Sequence, residues 1–276
     1  MKYIGAHINN KLVLDSVVMA HNLDLNCIQF YLHNPIDQEE YHDTDKQINT
    51  MNYIRNSNIT VFAHSSFTMN IASPWDKYTW WVNNLINSIK YCYNLYISGI
   101  IVHIGKQLKL SKEEAYNNMF TGLIYVLNVT KEYNRVKLIL ETPAGQGTEL
   151  CSNIEELGYF YNKFKLHNKY KDRVKICIDT CHLFAAGYNI STEQGIVNVF
   201  DKIDKNIGFD NLALIHLNDS YQPLNSHIDR HENLGKGHIG KNGLKIFYSF
   251  FKDKVPIVIE TPKEGMFDDI LFMKDN

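Results

Sequence analysis

Short apolar and β-branched runs recur along the chain, separated by longer stretches whose hydrophobic residues fall at helical spacing. The runs are "KYIGAH", "CIQFYL", "TVFAH", "GIIVHIG", "VKLILET", "VKICIDT", "LALIHLND" and "VPIVIET". Near-continuous apolar character marks strands buried on both faces. Their alternation with helix-length segments, without hairpin signals between them, predicts a parallel sheet. Eight such units filling the chain predict one α/β domain over residues 1–276, a (β/α)8 TIM barrel whose chemistry lies at the C-terminal mouth of the strands. Within the helical stretches, Ser73 and Pro74 predict the cap and first position of a helix running through "WDKYTWWVNNLINSIKYCYNL". Ser111 with Glu114 three residues on predicts a capping box.

Composition narrows the class. The 276 residues are 45% hydrophobic and 21% charged, which suits a soluble globular protein with a sizeable core. A formal net charge of -2 gives no global basic field, so a nucleic-acid partner must meet a local patch. Five scattered cysteines argue against a disulfide framework and for a reducing compartment. "MKYIGAHINNKL" lacks the apolar centre of a signal peptide, and no apolar run reaches the length of a membrane span. The expectation is a soluble, intracellular protein with no membrane partner.

The ends of the runs carry the chemistry. His7, His64, His103, Glu141, Asp179, His216 and Glu260 each stand at or next to the C-terminal end of a different run, so a barrel brings them to one mouth. Any one of them alone reads as a hydrogen-bonded histidine or a capping carboxylate. Gathering so many without counter-ions costs several kcal/mol for each buried charge, on the order of typical burial penalties. Cations offset that cost, and histidine with carboxylates but no thiolate suits zinc or manganese. "CIDTCH" adds His182 three residues after Asp179, in the loop that follows the strand. "SHIDRHENLGKGHIG" adds Asp229 and His231 at alternate positions. The candidate ligands are therefore His64, His103, Glu141, Asp179, His182, His216, Asp229, His231 and Glu260. That is more than one ion takes, and with a bridging carboxylate it suits two or three.

"MKYIGAH", "LETPAGQGTEL", "KICIDTCHLFAAGY" and "HLNDSYQPLNSHIDRHENLGKGHIG" resemble, in this order, the endonuclease IV family of abasic-site DNA endonucleases, over residues 1 to about 262. The resemblance implies a (β/α)8 barrel with a trinuclear zinc centre acting on double-stranded DNA. It implies hydrolysis of the phosphodiester 5′ to an abasic site, leaving a 3′-hydroxyl, with removal of 3′ blocking groups besides. By motif, His64 and His103 hold the first zinc and Glu141 bridges to the second. Asp179, His216 and Glu260 complete the second, and His182, Asp229 and His231 hold the third. Glu141 or Glu260 handles the proton of the attacking water, and His227 is a loop residue outside the ligand set.

Two places depart from the family pattern. A Tyr-Leu pair that enters the gap left by the extruded nucleotide is replaced by Phe67 and Thr68, and an arginine that enters the base stack has Ile36 at about its place. Chemistry is expected to survive both changes, with Phe67 keeping a stacking face for DNA. Lys77, Lys106, Arg230, Lys236 and Lys241 are basic candidates for phosphate contacts near the mouth, against the background that surface lysines are ordinarily just solvated. "GKGHIGKN" fails as a P-loop because Asn242 stands where Ser or Thr is required. Cys177 and Cys181 read as small buried hydrophobes. Two rivals remain: a single-metal sugar isomerase or epimerase, which shares only Glu141, Asp179, His216 and Glu260, and an inert lesion-binding protein, from which some ligands should be missing. The full set of nine favours the nuclease, which is expected to be a monomer.

Overall fold

The computed structural model describes residues 2–10, 12–32 and 47–276. Ile36 therefore lies outside the described residues. Strands β1 (Gly5–His7), β2 (Cys27–Tyr31), β3 (Thr60–His64), β4 (Gly99–His103), β5 (Lys137–Glu141), β6 (Val174–Asp179), β7 (Leu212–His216) and β10 (Ile257–Ile259) close a barrel in which β10 pairs back to β1. All barrel pairs are parallel, and each of the eight apolar runs contributes one strand. The loop after β7 holds a short antiparallel ribbon, β8 (Asp219–Ser220) with β9 (His231–Glu232). The sequence reading expected no hairpin, because strands of two residues are too short to show an alternating pattern.

Strand geometry turns this register into a site. Successive side chains on a strand point to opposite faces, so residues two apart share one face. Cys27, Phe62, Ile101, Ile139, Cys177, Leu214 and Val258 form a buried cluster separate from the main core. They plug the barrel interior. Two residues further along the same strands stand Gln29, His64, His103, Glu141, Asp179, His216 and Glu260. An apolar floor thus lies directly beneath a polar layer. Gly5 on β1 is required by this packing, because a Cβ there would stand 2.4 Å from the Cys27 sulfur and 2.6 Å from its carbonyl oxygen.

The outer faces of the strands pack against the helices. α3 (Trp80–Asn94), α5 (Ile154–Lys165) and α7 (Glu193–Asn206) each turn an apolar stripe inward; in α7 this is Ile196, Val199 and Ile203. Ser111 forms the expected capping box with Glu114 at the start of α4 (Lys112–Val129). The expected cap at Ser73 is wrong. α3 starts at Trp80, and the Ser73 hydroxyl instead donates back to the Asn70 carbonyl. Asp76 explains the delay: its carboxylate accepts from the Tyr78 amide and the Thr79 hydroxyl, stabilising a local turn that competes with helix.

Candidate metal centre

At the mouth the nine expected ligands fall into three groups, each with its ligand atoms mutually within 4.8 Å. His64, His103 and Glu141 form one; Glu141, Asp179, His216 and Glu260 a second; His182, Asp229 and His231 a third. Glu141 belongs to two groups through different oxygens. Its Oε2 lies 3.3 Å from His64 Nε2 and 3.0 Å from His103 Nε2, while Oε1 lies 2.8 Å from His216 Nδ1. His216 Nδ1 also faces Glu260 Oε2 at 3.0 Å and Asp179 Oδ2 at 3.7 Å. His182 stands on the short helix α6 (Thr180–Ala185) rather than in a loop, because Asp179 Oδ1 accepts its amide and caps the helix. Asp229 and His231 reach the same place from the ribbon, 3.1 and 3.3 Å from Asp229 Oδ1 to His182 Nε2 and His231 Nε2.

The partners of the opposite ring nitrogens decide what these histidines present. His64 Nδ1 donates to the Ser65 carbonyl at 2.7 Å, His182 Nδ1 to the Thr142 carbonyl at 2.7 Å, and His231 Nδ1 to the Glu260 carbonyl at 3.1 Å. A carbonyl only accepts, so Nδ1 holds the proton and a neutral ring turns the Nε2 lone pair toward a carboxylate oxygen. Two electron-rich atoms face to face require a proton or a cation between them. His182 Nε2 and His231 Nε2 are buried without a hydrogen-bond partner among the described residues, despite their closeness to Asp229. That favours a cation. Metal–ligand bonds of about 2.0–2.2 Å at tetrahedral angles put ligand atoms roughly 3.3 Å apart, as found here. The donor set fits divalent metal.

Electrostatics follow the same pattern. Burial works against charge on His182, yet Asp179 and Asp229 outweigh it and hold the imidazole well above its ordinary range. The same contest raises His231 to about 9, and His216, though fully buried, is held well above its usual value by the Glu260 and Glu141 carboxylates. Burial raises Glu141, but His103 and His216 more than reverse this and keep it ionised. Protons therefore fill the gaps when metal is removed. Burial pushes the Cys177 and Cys181 thiols up to about 12, so both stay protonated and are poor ligands despite their position.

A family model described as "Xylose isomerase-like TIM barrel" matches residues 17–275. The chain is 33% identical to a "Probable endonuclease 4" of Persephonella marina over 97% of its own length and 94% of that protein's. It is 32% identical to the "Probable endonuclease 4" of Nitrosopumilus maritimus, covering 96% and 95%. The chain belongs to the endonuclease IV family. It is thus an enzyme, a DNA-cleaving hydrolase of the endonuclease IV type. The crystal structure of endonuclease IV from Thermus thermophilus has the same fold, with a TM-score of 0.82 at 23% identity and full coverage of both chains. The fold extends to a zinc-bound IolI structure, TM-score 0.71 at 14% identity. The isomerase-like alternative is the less supported reading, because the relatives that share this sequence are endonucleases.

Around the endonuclease IV centre, a cleft of about 290 Å³ opens beside Tyr31, Phe67, Asp229, Glu260 and Lys263. Phe67 is half exposed and lines it; Thr68 is exposed, with its hydroxyl on Ser66 Oγ at 2.8 Å. Arg230 is exposed, and Lys236 lines a separate groove with Tyr221 and His238. Lys106 pairs with Glu149 at 3.5 Å, Lys77 lies over the Tyr78 ring, and the Lys241 stem covers Gly235. Lys263 escaped sequence reasoning, although it follows the Glu260 strand end by only three residues. Gln29 was missed as well. Its signal was available: it occupies the same alternating phase as the ligands of the other strands.

Proposed function

We propose that this chain is a zinc-dependent DNA repair endonuclease that hydrolyses the phosphodiester 5′ to an abasic site in double-stranded DNA. The product is a 3′-hydroxyl primer end, and 3′ blocking groups are removed by the same chemistry. The observation that carries this reading is the charge of the cluster. Glu141, Asp179, Asp229 and Glu260 bring four carboxylates together around neutral imidazoles. One divalent ion leaves such a centre negative and two leave it about neutral; three give a net charge of about +2, which attracts a phosphodiester. About three zinc ions per chain, with manganese acceptable to the same donors, therefore suit a nuclease better than a single-metal isomerase.

When bound, the ions supply Lewis acidity and a water whose pKa falls to about 7. The chain's own residues do the rest. His64 and His103 hold the first position with Glu141, Asp179, His216 and Glu260 the second, and His182, Asp229 and His231 the third. Both candidate bases line the cleft, but Glu141 has 1% of its side chain exposed and Glu260 13%. Glu260 accepts the water proton at Oε2, because Oε1 is held by His7 and Gln29. Phe67 fills the hole left by the missing base, and Lys263, with Arg230 and Lys236 further out, meets phosphates. The enzyme acts as an intracellular monomer.

Metal analysis of the purified chain, paired with incision of a duplex carrying one abasic site, tests this. About three zinc per chain and a 3′-hydroxyl product are expected. One ion per chain with sugar-epimerising activity and no incision would overturn it.

A further inference from the structure

A chain of polar contacts runs behind the second ligand group, and its direction can be read from one end. The Tyr31 backbone N–H, which can only donate, is 2.8 Å from Asn9 Oδ1. That fixes the Asn9 amide, so its Nδ2 donates to His7 Nε2 at 2.9 Å. His7 Nε2 is then the accepting nitrogen, and Nδ1–H donates to Glu260 Oε1 at 2.9 Å. Gln29 is fixed from the other side. Glu260 Oε1 only accepts, so the Gln29 amide nitrogen faces it at 2.6 Å and Gln29 Oε1 faces His216 Nε2 at 2.8 Å. The Gln29 amide nitrogen also lies 2.9 Å from His7 Nδ1, the two donors converging on one carboxylate oxygen. His216 must therefore donate from Nε2. Its Nδ1 lone pair is left pointing at Glu141 Oε1 and Glu260 Oε2.

We propose that Gln29 and His7 are positioning residues: Gln29 selects the His216 tautomer that presents Nδ1 as a ligand, and both side chains clamp Glu260 so that only Oε2 faces the cleft. The proposal rests on the metal-centre reading above. Gln29 is wholly buried, where an amide costs stability unless its polar atoms are satisfied, and an apolar residue would fill the same space. Its two ends match two ligands of one ion position, and a shell that holds a ligand in one tautomer raises its basicity and affinity. Neither residue belongs to the nine ligands.

The test uses the full chain loaded with zinc, challenged with a graded chelator, and assayed for incision. Gln29→Glu replaces a donor by an acceptor opposite Glu260 and should weaken one zinc equivalent by about 10–100-fold, the usual cost of losing such a partner. Its kcat should fall with KM for DNA unchanged, since Gln29 is sealed from the cleft. Asparagine places its amide nitrogen where His7 has Nδ1, and glutamine places it nearer Nε2. His7→Asn should therefore keep the zinc that His7→Gln releases. This pair preserves a test if Gln29→Glu fails to fold. Ring-nitrogen NMR of His216 should show Nε2 protonated in the wild type and the pattern altered in Gln29→Glu. Wild-type zinc retention in Gln29→Glu, or equal losses in the two His7 variants, would overturn the proposal alone. A wild-type chain that holds no zinc would overturn the metal-centre reading, and this proposal with it.

Discussion

At the scale of single residues, the oxygens of Glu141 and Asp229 carry the most. Glu141 serves two ligand groups through different atoms, so Glu141→Gln should remove metal and incision together, while His227→Ala should spare both. Asp229 is one of three side chains in its group, and losing it should lower single-turnover incision by about 10²–10³-fold, typical of one lost electrostatic contact in a transition state. A rate within threefold of wild type would contradict that role. Phe67 makes a different kind of contribution, since its half-exposed ring sits at the cleft and not in the cluster. Stacking on an aromatic contributes roughly 1–3 kcal/mol per base, so Phe67→Ala should weaken abasic-duplex binding by about tenfold or more. Binding to intact duplex and zinc content should not change. Both affinities need one fixed salt concentration, because phosphate contacts make each salt-dependent.

Among the elements, the β8–β9 ribbon and its glycine-rich tail converge on one carboxylate, with Asp269 holding Asn233 and Leu234 besides. Asp219 is fully buried and accepts the amides of Gly235, Gly237 and Ile239 at 2.9–3.0 Å, with Ser220 at 2.8 Å. The Gly235, Gly237 and Ile239 N–H groups of the loop that mimics a P-loop are engaged by this carboxylate and are not free to cradle a phosphate. The same anchor fixes the ribbon carrying Asp229 and His231, pairing Ser220 with His231 and Asp219 with Glu232. Asp219→Ala strips a buried acceptor from several donors and should cost about 3 kcal/mol or more of stability, measured by urea unfolding, and weaken the zinc bound through His231. Unchanged stability would show the loop to be held otherwise. The elements themselves were legible to unequal degrees. Eight strands and seven polar strand ends could be read because burial imposes apolar runs and a period of two. The ribbon could not, because two-residue strands have no period, and α3 started late because Asp76 diverted the chain. Gln29 was hidden inside an apolar run, visible only once the phase of neighbouring strands was known. Asp219 carries no signal of its own in the sequence, because its role lies in amides that only the folded loop brings to it.

For the whole molecule, metal and protons compete for the same atoms. In the metal-free protein His231, raised from 6.5 to about 9, contributes stability that is complete below 6.5 and lost as pH rises through about 9. Glu141 and Glu260, depressed from 4.5, and Asp229, depressed from 3.8, contribute stability that is present above those values and lost as pH falls below them. The loaded protein needs the histidines deprotonated, so metal binding releases protons and strengthens as pH rises. Between pH 6.5 and 9 the melting temperature should fall with pH in chelator and hold or rise with pH in excess zinc. Parallel slopes in the two series would contradict this coupling. The central claim, that three ions rather than one make this barrel a nuclease, is most directly tested by stepwise reconstitution. Metal-free chain is titrated with zinc while single-turnover incision of an abasic duplex and bound zinc are followed together. The account predicts little incision at one equivalent and a rise that is complete only near the third. Full incision at a single equivalent, with no further binding, would contradict it.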